Sequence, residues 1–519
     1  MTRPSSSKVG ALALVLSCLA PLPPTHASDV ESPAQAAHVD QAGLPTTPLP
    51  TVAAQGGRLF SVRFNSVDGV GANLSLDPAG TVRFSRVPRA DLPGFQMHPF
   101  RNTGPSAQSC AECHDQPVVA GAGGLADNGI RDTRRTGNPA QFVLRNPLHL
   151  FGSGAVQRLA EEATQDLKRI RAKAVEQART TGIAVTRVLD TANGVSYGSI
   201  TALPSGEVDL SSVVGVDRDL IVKPYFWKGE LASFLRALVR GSAELELGMQ
   251  PLELVGPGAD VDFDGVRDEL TVGDITAMSV YLAALPRPVT KLELHHRLGG
   301  RHALSQHAIR AIRNGERRFA QIGCAGCHRP SMEIRTSTFQ EPSADPDFRD
   351  ATLAGGTDPR MVGLDPLRPV KFDLTANPAV GGGDRLHCRS GSTAHDTALA
   401  AQTWVGRRPC FPQFESNGRG GAIVRLYGDL KRHDMGPALA DAVDEIGTGP
   451  SLWKTRELWG VASTGPWLHD GRATTLTDAI LMHGGEGQAA RNAFAALGAH
   501  ERSEVIAFLE NLTLYQAGD

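Results

Sequence analysis

Cys110-Ala-Glu-Cys113-His114 and Cys324-Ala-Gly-Cys327-His328 are two copies of one pattern, and they decide the reading of the chain. Cys-x-x-Cys-His is the attachment pattern of c-type haem. Two cysteines three residues apart share one side of a helical turn, so both sulfurs reach the two vinyl groups of one porphyrin. The adjoining histidine then offers its imidazole to the iron as proximal ligand. A redox dithiol needs no following histidine, and a zinc half-site needs a second cysteine pair nearby. Two complete copies, 214 residues apart (110 to 324), therefore predict two covalently bound haem c groups, one per domain.

The other cysteines are Cys18, Cys388 and Cys410. Arg3 and Lys8, an apolar run over 9–20 and Thr25-His26-Ala27 have the layout of a secretory signal peptide at residues 1–27. The run is short for a bilayer span, so the mature chain is expected in the periplasm or secreted, without a membrane span. Cys18 imitates a lipoprotein cleavage site, but Leu16 fits that pattern poorly. In such an oxidising compartment Cys388 and Cys410 read as a structural disulfide, with free thiols or a redox role as alternatives. Residues 28–55 are rich in Pro, Ala, Thr and Gln and read as a flexible tether.

Composition narrows the function. The 519 residues are 41% hydrophobic, which is too apolar for a disordered chain. Fifty-two Lys+Arg against 55 Asp+Glu leave a net charge of −3, with no basic excess to hold a phosphate backbone, so no nucleic-acid partner is expected. The texture suggests short β segments at 59–62 and 82–84, a charged helix at 159–179, a β-hairpin insertion at 182–222, and helices at 227–246 and 275–285. Pro286 and Pro288 mark a boundary between haem domains 56–288 and 289–519. A basic amphipathic helix at 302–320 runs into Cys324, residues 340–420 form a long irregular excursion, and helical texture returns at 475–483 and 499–512. The halves share only the haem motif at this level. The fold class expected is mainly α: two cytochrome-c-like haem domains with inserted β-hairpins and long irregular loops. Asp260, Asp262 and Asp264, followed by Gly265, start like an EF-hand calcium loop, although Thr271 stands where the bidentate Glu belongs. A solvated acidic turn is the alternative to calcium.

The C-terminal half carries Thr455-Arg-Glu-Leu-Trp459-Gly, Gly465-Pro-Trp-Leu-His469-Asp-Gly-Arg472 and Thr474-Thr-Leu-Thr-Asp-Ala-Ile-Leu-Met482-His483-Gly-Gly-Glu486. Upstream stands Tyr427-Gly-Asp-Leu-Lys-Arg-His433-Asp-Met435-Gly. The N-terminal half adds Arg145-Asn-Pro-Leu-His149-Leu-Phe-Gly and Phe226-Trp227-Lys228-Gly229. In combination, over residues 57–519, these resemble the bacterial dihaem cytochrome c peroxidase superfamily, nearest to its dihaem oxidoreductase branch.

The resemblance implies a dihaem oxidoreductase that takes electrons at haem 2 from a small redox protein or small-molecule donor. Trp227 would relay them, and haem 1 would reduce peroxide. It places the sixth ligand of haem 2 fourteen residues after His469, which is His483, with Met435 and Met482 as lesser candidates. The family's displaceable distal histidine is missing between His114 and Arg145. His149 is the nearest substitute, and an open or water-bound haem 1 is the main expectation. Glu246, nineteen residues past Trp227, fits the family's distal acid/base, with Glu244 close by. The alternatives are a haem-dependent oxygenase or oxidase using dioxygen, and a non-enzymatic electron carrier.

Overall fold

The computed structural model describes residues 32–35, 37–71, 106–131, 138–230, 235–260, 264–349, 359–376 and 412–514. Residues 1–27, the segment 82–84, Asp262, Cys388 and Cys410 lie outside the described residues. The helices are α1 (Leu49–Ser61), α2 (Ser153–Thr181), α3 (Leu235–Ser242), α4 (Leu252–Val255), α5 (Val272–Ala283), α6 (Lys291–Leu298), α7 (Gln306–Gln321), α8 (Leu476–Leu481), α9 (Gln488–Ala496) and α10 (Ala499–Leu509). Strands β1 (Gly129–Arg131) and β2 (Val143–Arg145) pair antiparallel. The expected hairpin insertion is the antiparallel sheet β3 (Val185–Asp190), β4 (Ser196–Ala202) and β5 (Val208–Asp209). None of the helices among the described residues is long and apolar enough to cross a membrane.

Local chemistry accounts for the principal helices. Ser305 caps α7, its side chain accepting from Ala308 N–H. Ile309, Ile312 and Phe319 then bury one face of α7 while its arginines stay outside. α5 is predominantly apolar and buried all round, and it opens on a capping box between Thr271 and Asp274.

The two halves build the same cradle twice. α1 crosses α5 at Gly56, where a Cβ would lie 2.0 Å from the Ala277 carbonyl oxygen. α7 crosses α10 at Gly315, where a Cβ would lie 1.9 Å from the Glu504 carbonyl oxygen. At the end of α1, Phe60 packs on Tyr281 (centroids 5.5 Å) and stands 6.3 Å from the His114 ring. At the end of α7, Phe319 packs on Phe508 (5.2 Å) and stands 6.2 Å from the His328 ring. The expectation that the halves share only the haem motif is corrected: they share a helix pair and an aromatic support.

Other readings are corrected as well. Residues 33–55, expected as a tether, are anchored: Val39, Leu44, Val52 and Ala53 are buried, and the Asp274 carboxylate accepts from Val39 N–H at 2.9 Å. The larger apolar side chains, Val39, Leu44, Leu49 and Val52, are all buried, which bulk composition hides. Residues 59–62 belong largely to α1 rather than to a strand. Of the helix expected over 227–246, residues 227–229 are turn, Leu235–Ser242 form α3, and Ala243–Leu247 are π-helical. The boundary at Pro286 to Pro288 does separate α5 from α6, but the core crosses it. Met332, Phe339, Phe372, Val424 and Trp459 all join the hydrophobic cluster that contains α1, α2 and α5.

Because α7 and α10 meet through a missing side chain, Gly315→Ala forces them apart. Overpacking of this kind costs about 1–3 kcal/mol. A urea titration of the purified protein should show that loss, and an unchanged midpoint would mean the helices do not cross there.

Candidate functional site

Each Cys-x-x-Cys-His segment folds as a single tight turn, Cys110–Glu112 and Cys324–Gly326. The main-chain N–H of His114 donates to the Cys110 carbonyl (3.2 Å), and that of His328 to the Cys324 carbonyl (3.0 Å). All four cysteines are free thiols. Burial pushes the Cys110 thiol up to about 12 and the Cys324 thiol up to about 11, so both stay protonated and apolar. Each turn opens on its own cavity. The first has a volume of about 180 Å³ and the second about 260 Å³, and both open partly to solvent.

In the second cavity, His328 faces His483, with ring centroids 6.5 Å apart. His328 Nδ1 lies 3.3 Å from the Tyr427 carbonyl, and His483 Nδ1 lies 2.8 Å from the Ala479 carbonyl. Donation from both Nδ1 atoms fixes the tautomers and leaves each Nε2 as a lone pair. Burial, with His483 nearby, lowers the His328 pKa to about 4, and burial lowers that of His483, so both rings are neutral. Two imidazoles on opposite sides of one metal ion, with bonds of about 2 Å as at zinc, leave their centroids roughly 6 Å apart. Met435 also lines this cavity, whereas Met482 is not among its lining residues.

His433 links two sequence motifs around this cavity, a role that sequence reading missed. It hydrogen-bonds Asp429 (3.0 Å) and Glu486 (2.7 Å), and its Nδ1 is 3.9 Å from Cys327 Sγ. Burial opposes its charge, but Asp429, Cys327 and Glu486 outweigh burial and raise its pKa to about 11. The Glu486 carboxylate also accepts from Asp434 N–H at 2.9 Å, which fastens the loop after His483 to the strand Arg432–Asp434.

The first cavity holds His114, whose Nδ1 lies 3.2 Å from the Gly121 carbonyl, and Glu246. Glu246 is the penultimate residue of the π-helical stretch. Its main-chain carbonyl accepts from Ser106 N–H (2.9 Å), and its carboxylate from the Ser106 hydroxyl. Glu244 is not among the lining residues. Besides His114, the one imidazole lining this cavity among the described residues is His149. Its Nε2 is 2.9 Å from the Trp459 carbonyl, its Nδ1 is buried without a partner, and burial lowers its pKa to about 4.

A common wall separates the cavities: Asn146 to His149, Trp227, Arg456 and Glu457 line both. Trp227 is fixed at three points. Its indole N–H donates to the Asn146 carbonyl (2.8 Å), and its main-chain carbonyl accepts from Lys454 N–H (3.1 Å). The Arg456 guanidinium stands 5.4 Å from its ring centroid. The next residue, Lys228, is fully buried and donates to the carbonyls of Gly449, Pro450 and Leu452 at 2.9–3.1 Å. Asp260 and Asp264 lie apart from these sites. Their carboxylates accept from Gly265 N–H (3.2 Å) and Val266 N–H (2.7 Å), and so brace their own loop.

Residues 375–512 match the family described as "Di-haem oxidoreductase, putative peroxidase". That segment is similar to the di-haem oxidoreductase family. It contains His433, Arg456, His469 and His483, whereas both Cys-x-x-Cys-His turns precede it. The family implies haem cofactors, and the free thiols, fixed imidazoles and cavities fit them. One similar solved structure is titled "Crystal structure of a MauG-like protein associated with microbial copper homeostasis". It is 14% identical, with a TM-score of 0.27, and the match covers 70% of this chain and 89% of that one. No curated protein sequence matches the chain.

Glu457 pairs with both Lys454 and Arg456, and burial would raise its pKa were it not held at about 2 by Arg456 and Lys454. Removing one partner of a buried ion pair costs about 3–5 kcal/mol. Glu457→Gln should lower the urea midpoint accordingly, and a midpoint within error of wild type would place this cluster in solvent. The histidines add a pH dependence. Unfolded, His149 takes up a proton near pH 6.5, but folded only near pH 4, so the unfolded chain binds more protons between those values. Stability measured by urea should fall from pH 7 to pH 4.5, and His149→Phe should flatten part of that slope.

Proposed function

We propose that the chain is an exported dihaem c-type oxidoreductase that reduces peroxide in the first cavity with electrons received through the second. One observation carries this reading: the second cavity presents two opposed neutral imidazoles, whereas the first is lined by His114, by the Glu246 carboxylate and by His149, whose Nε2 is engaged at the Trp459 carbonyl. Bound haem supplies a redox-active iron whose free position accepts a small oxygen species.

Cys110, Cys113 and His114 would hold the first haem, and Cys324, Cys327 and His328 the second. His483 would close the remaining position of the second iron, which suits an electron relay rather than substrate binding. Glu246 would hold or move a proton at a peroxide oxygen in the first cavity. Trp227, common to both walls, places one indole between the two chemistries. Peroxide takes up two electrons and two protons and leaves as two waters, so a small redox protein or small-molecule donor must supply the electrons.

The test is stopped-flow oxidation of the fully reduced holoprotein by hydrogen peroxide. Wild type should reoxidise both haems, and Trp227→Phe should slow reoxidation of the second haem at least tenfold while sparing the first. Glu246→Gln should slow the peroxide step by about 10²–10⁴-fold. A wild-type protein inert to peroxide but reoxidised by dioxygen would favour an oxygenase or oxidase, and inertness to both would leave an electron carrier.

A further inference from the structure

Among the described residues of the wall between the cavities, two cations pair with the single carboxylate of Glu457. Lys454 Nζ is 2.7 Å from one Glu457 oxygen, and an Arg456 nitrogen is 3.0 Å from the other. One carboxylate thus serves two cations. The Lys454 side chain is 0% exposed, that of Glu457 4% and that of Arg456 20%. Arg456 Nε is buried without a hydrogen-bond partner. Burial disfavours the charge on Arg456, and its field helps to depress the pKa of His149. A buried charge left uncompensated is strongly unfavourable, and the planar guanidinium matches a carboxylate better than any other common anion-binding side chain.

Arg131 and Arg145 also line the first cavity, but ion pairs engage both: Arg131 with Glu445 (2.9 Å), and Arg145 with Asp441 and Glu445 (2.8 Å each). Arg456 differs in two respects. It faces both cavities, and it shares its one carboxylate, Glu457, with Lys454; a buried Nε without a partner is common to all three arginines.

We propose that Arg456 is a shared anion anchor, binding a carboxylate of the group held in each cavity. Haem carries two propionate carboxylates at its polar edge, so the dihaem reading, on which this proposal rests, supplies further negative charge. The same cation lies over Trp227, so anchoring the cofactors and positioning the indole between them fall to one side chain.

The test uses the purified holoprotein, with haem counted first by the pyridine haemochrome spectrum. Arg456→Gln and Arg456→Lys are then compared with wild type by spectroelectrochemical titration and by the propionate-bending bands in resonance Raman. A nearby cation disfavours the oxidised, more positive iron, so Arg456→Gln should shift both midpoint potentials downward and both propionate bands. Arg456→Lys keeps the charge but loses the fork, so its potentials should stay near wild type while both bands shift. If Arg456→Gln does not accumulate, the bands of Arg456→Lys decide alone. Unmoved bands, or a change confined to one haem, would overturn the shared anchor while leaving a dihaem protein standing. Fewer than two haems in wild type would sink the dihaem reading and the anchor with it.

Discussion

Two cavities pressed against one thin wall create the constraint on which the rest of the structure depends. The wall must be rigid, because side chains facing both cavities have no packed core behind them. Rigidity comes from main-chain hydrogen bonds: the Trp227 indole on the Asn146 carbonyl, Lys454 N–H on the Trp227 carbonyl, and Asn146 N–H on the His469 carbonyl. The buried Lys228 adds three more bonds to the neighbouring loop. All of these ties except the first join a residue before 288 to one after it, which is why the core does not divide at the proline boundary.

The duplicated cradle follows from the same need. A neutral imidazole whose Nδ1 is fixed must be supported on its other side, and an aromatic ring at the end of a crossed helix provides that support. The repeat was invisible in sequence for a simple reason. Phe319 precedes Cys324 by five residues, whereas Phe60 precedes Cys110 by fifty, with residues 72–105 between. Sequence comparison by eye depends on constant spacing, and here only the three-dimensional relation is constant.

Residues whose role is set by short-range spacing were legible. The two Cys-x-x-Cys-His turns fold locally, and counting from His469 picked His483 over the adjacent Met482. The structure places His483 opposite His328. Trp227 and Glu246 also fall on the expected cavities. What escaped were the long-range partners. His433 becomes a buried cation only through Asp429 and Glu486, and Arg456 becomes shared only because two cavities meet at its side chain. Residues 33–55 failed as a tether for a related cause: five well-placed apolar side chains, Val39, Leu44, Leu49, Val52 and Ala53, outweigh a polar average.

The central claim is that the two cavities differ in what faces their proximal histidines. Low-temperature EPR of the oxidised resting holoprotein reads that difference directly. The account predicts one high-spin haem beside one low-spin bis-histidine haem, with the low-spin signal lost in His483→Gly. Two low-spin haems in the resting protein, or a second-cavity signal indifferent to His483, would contradict it.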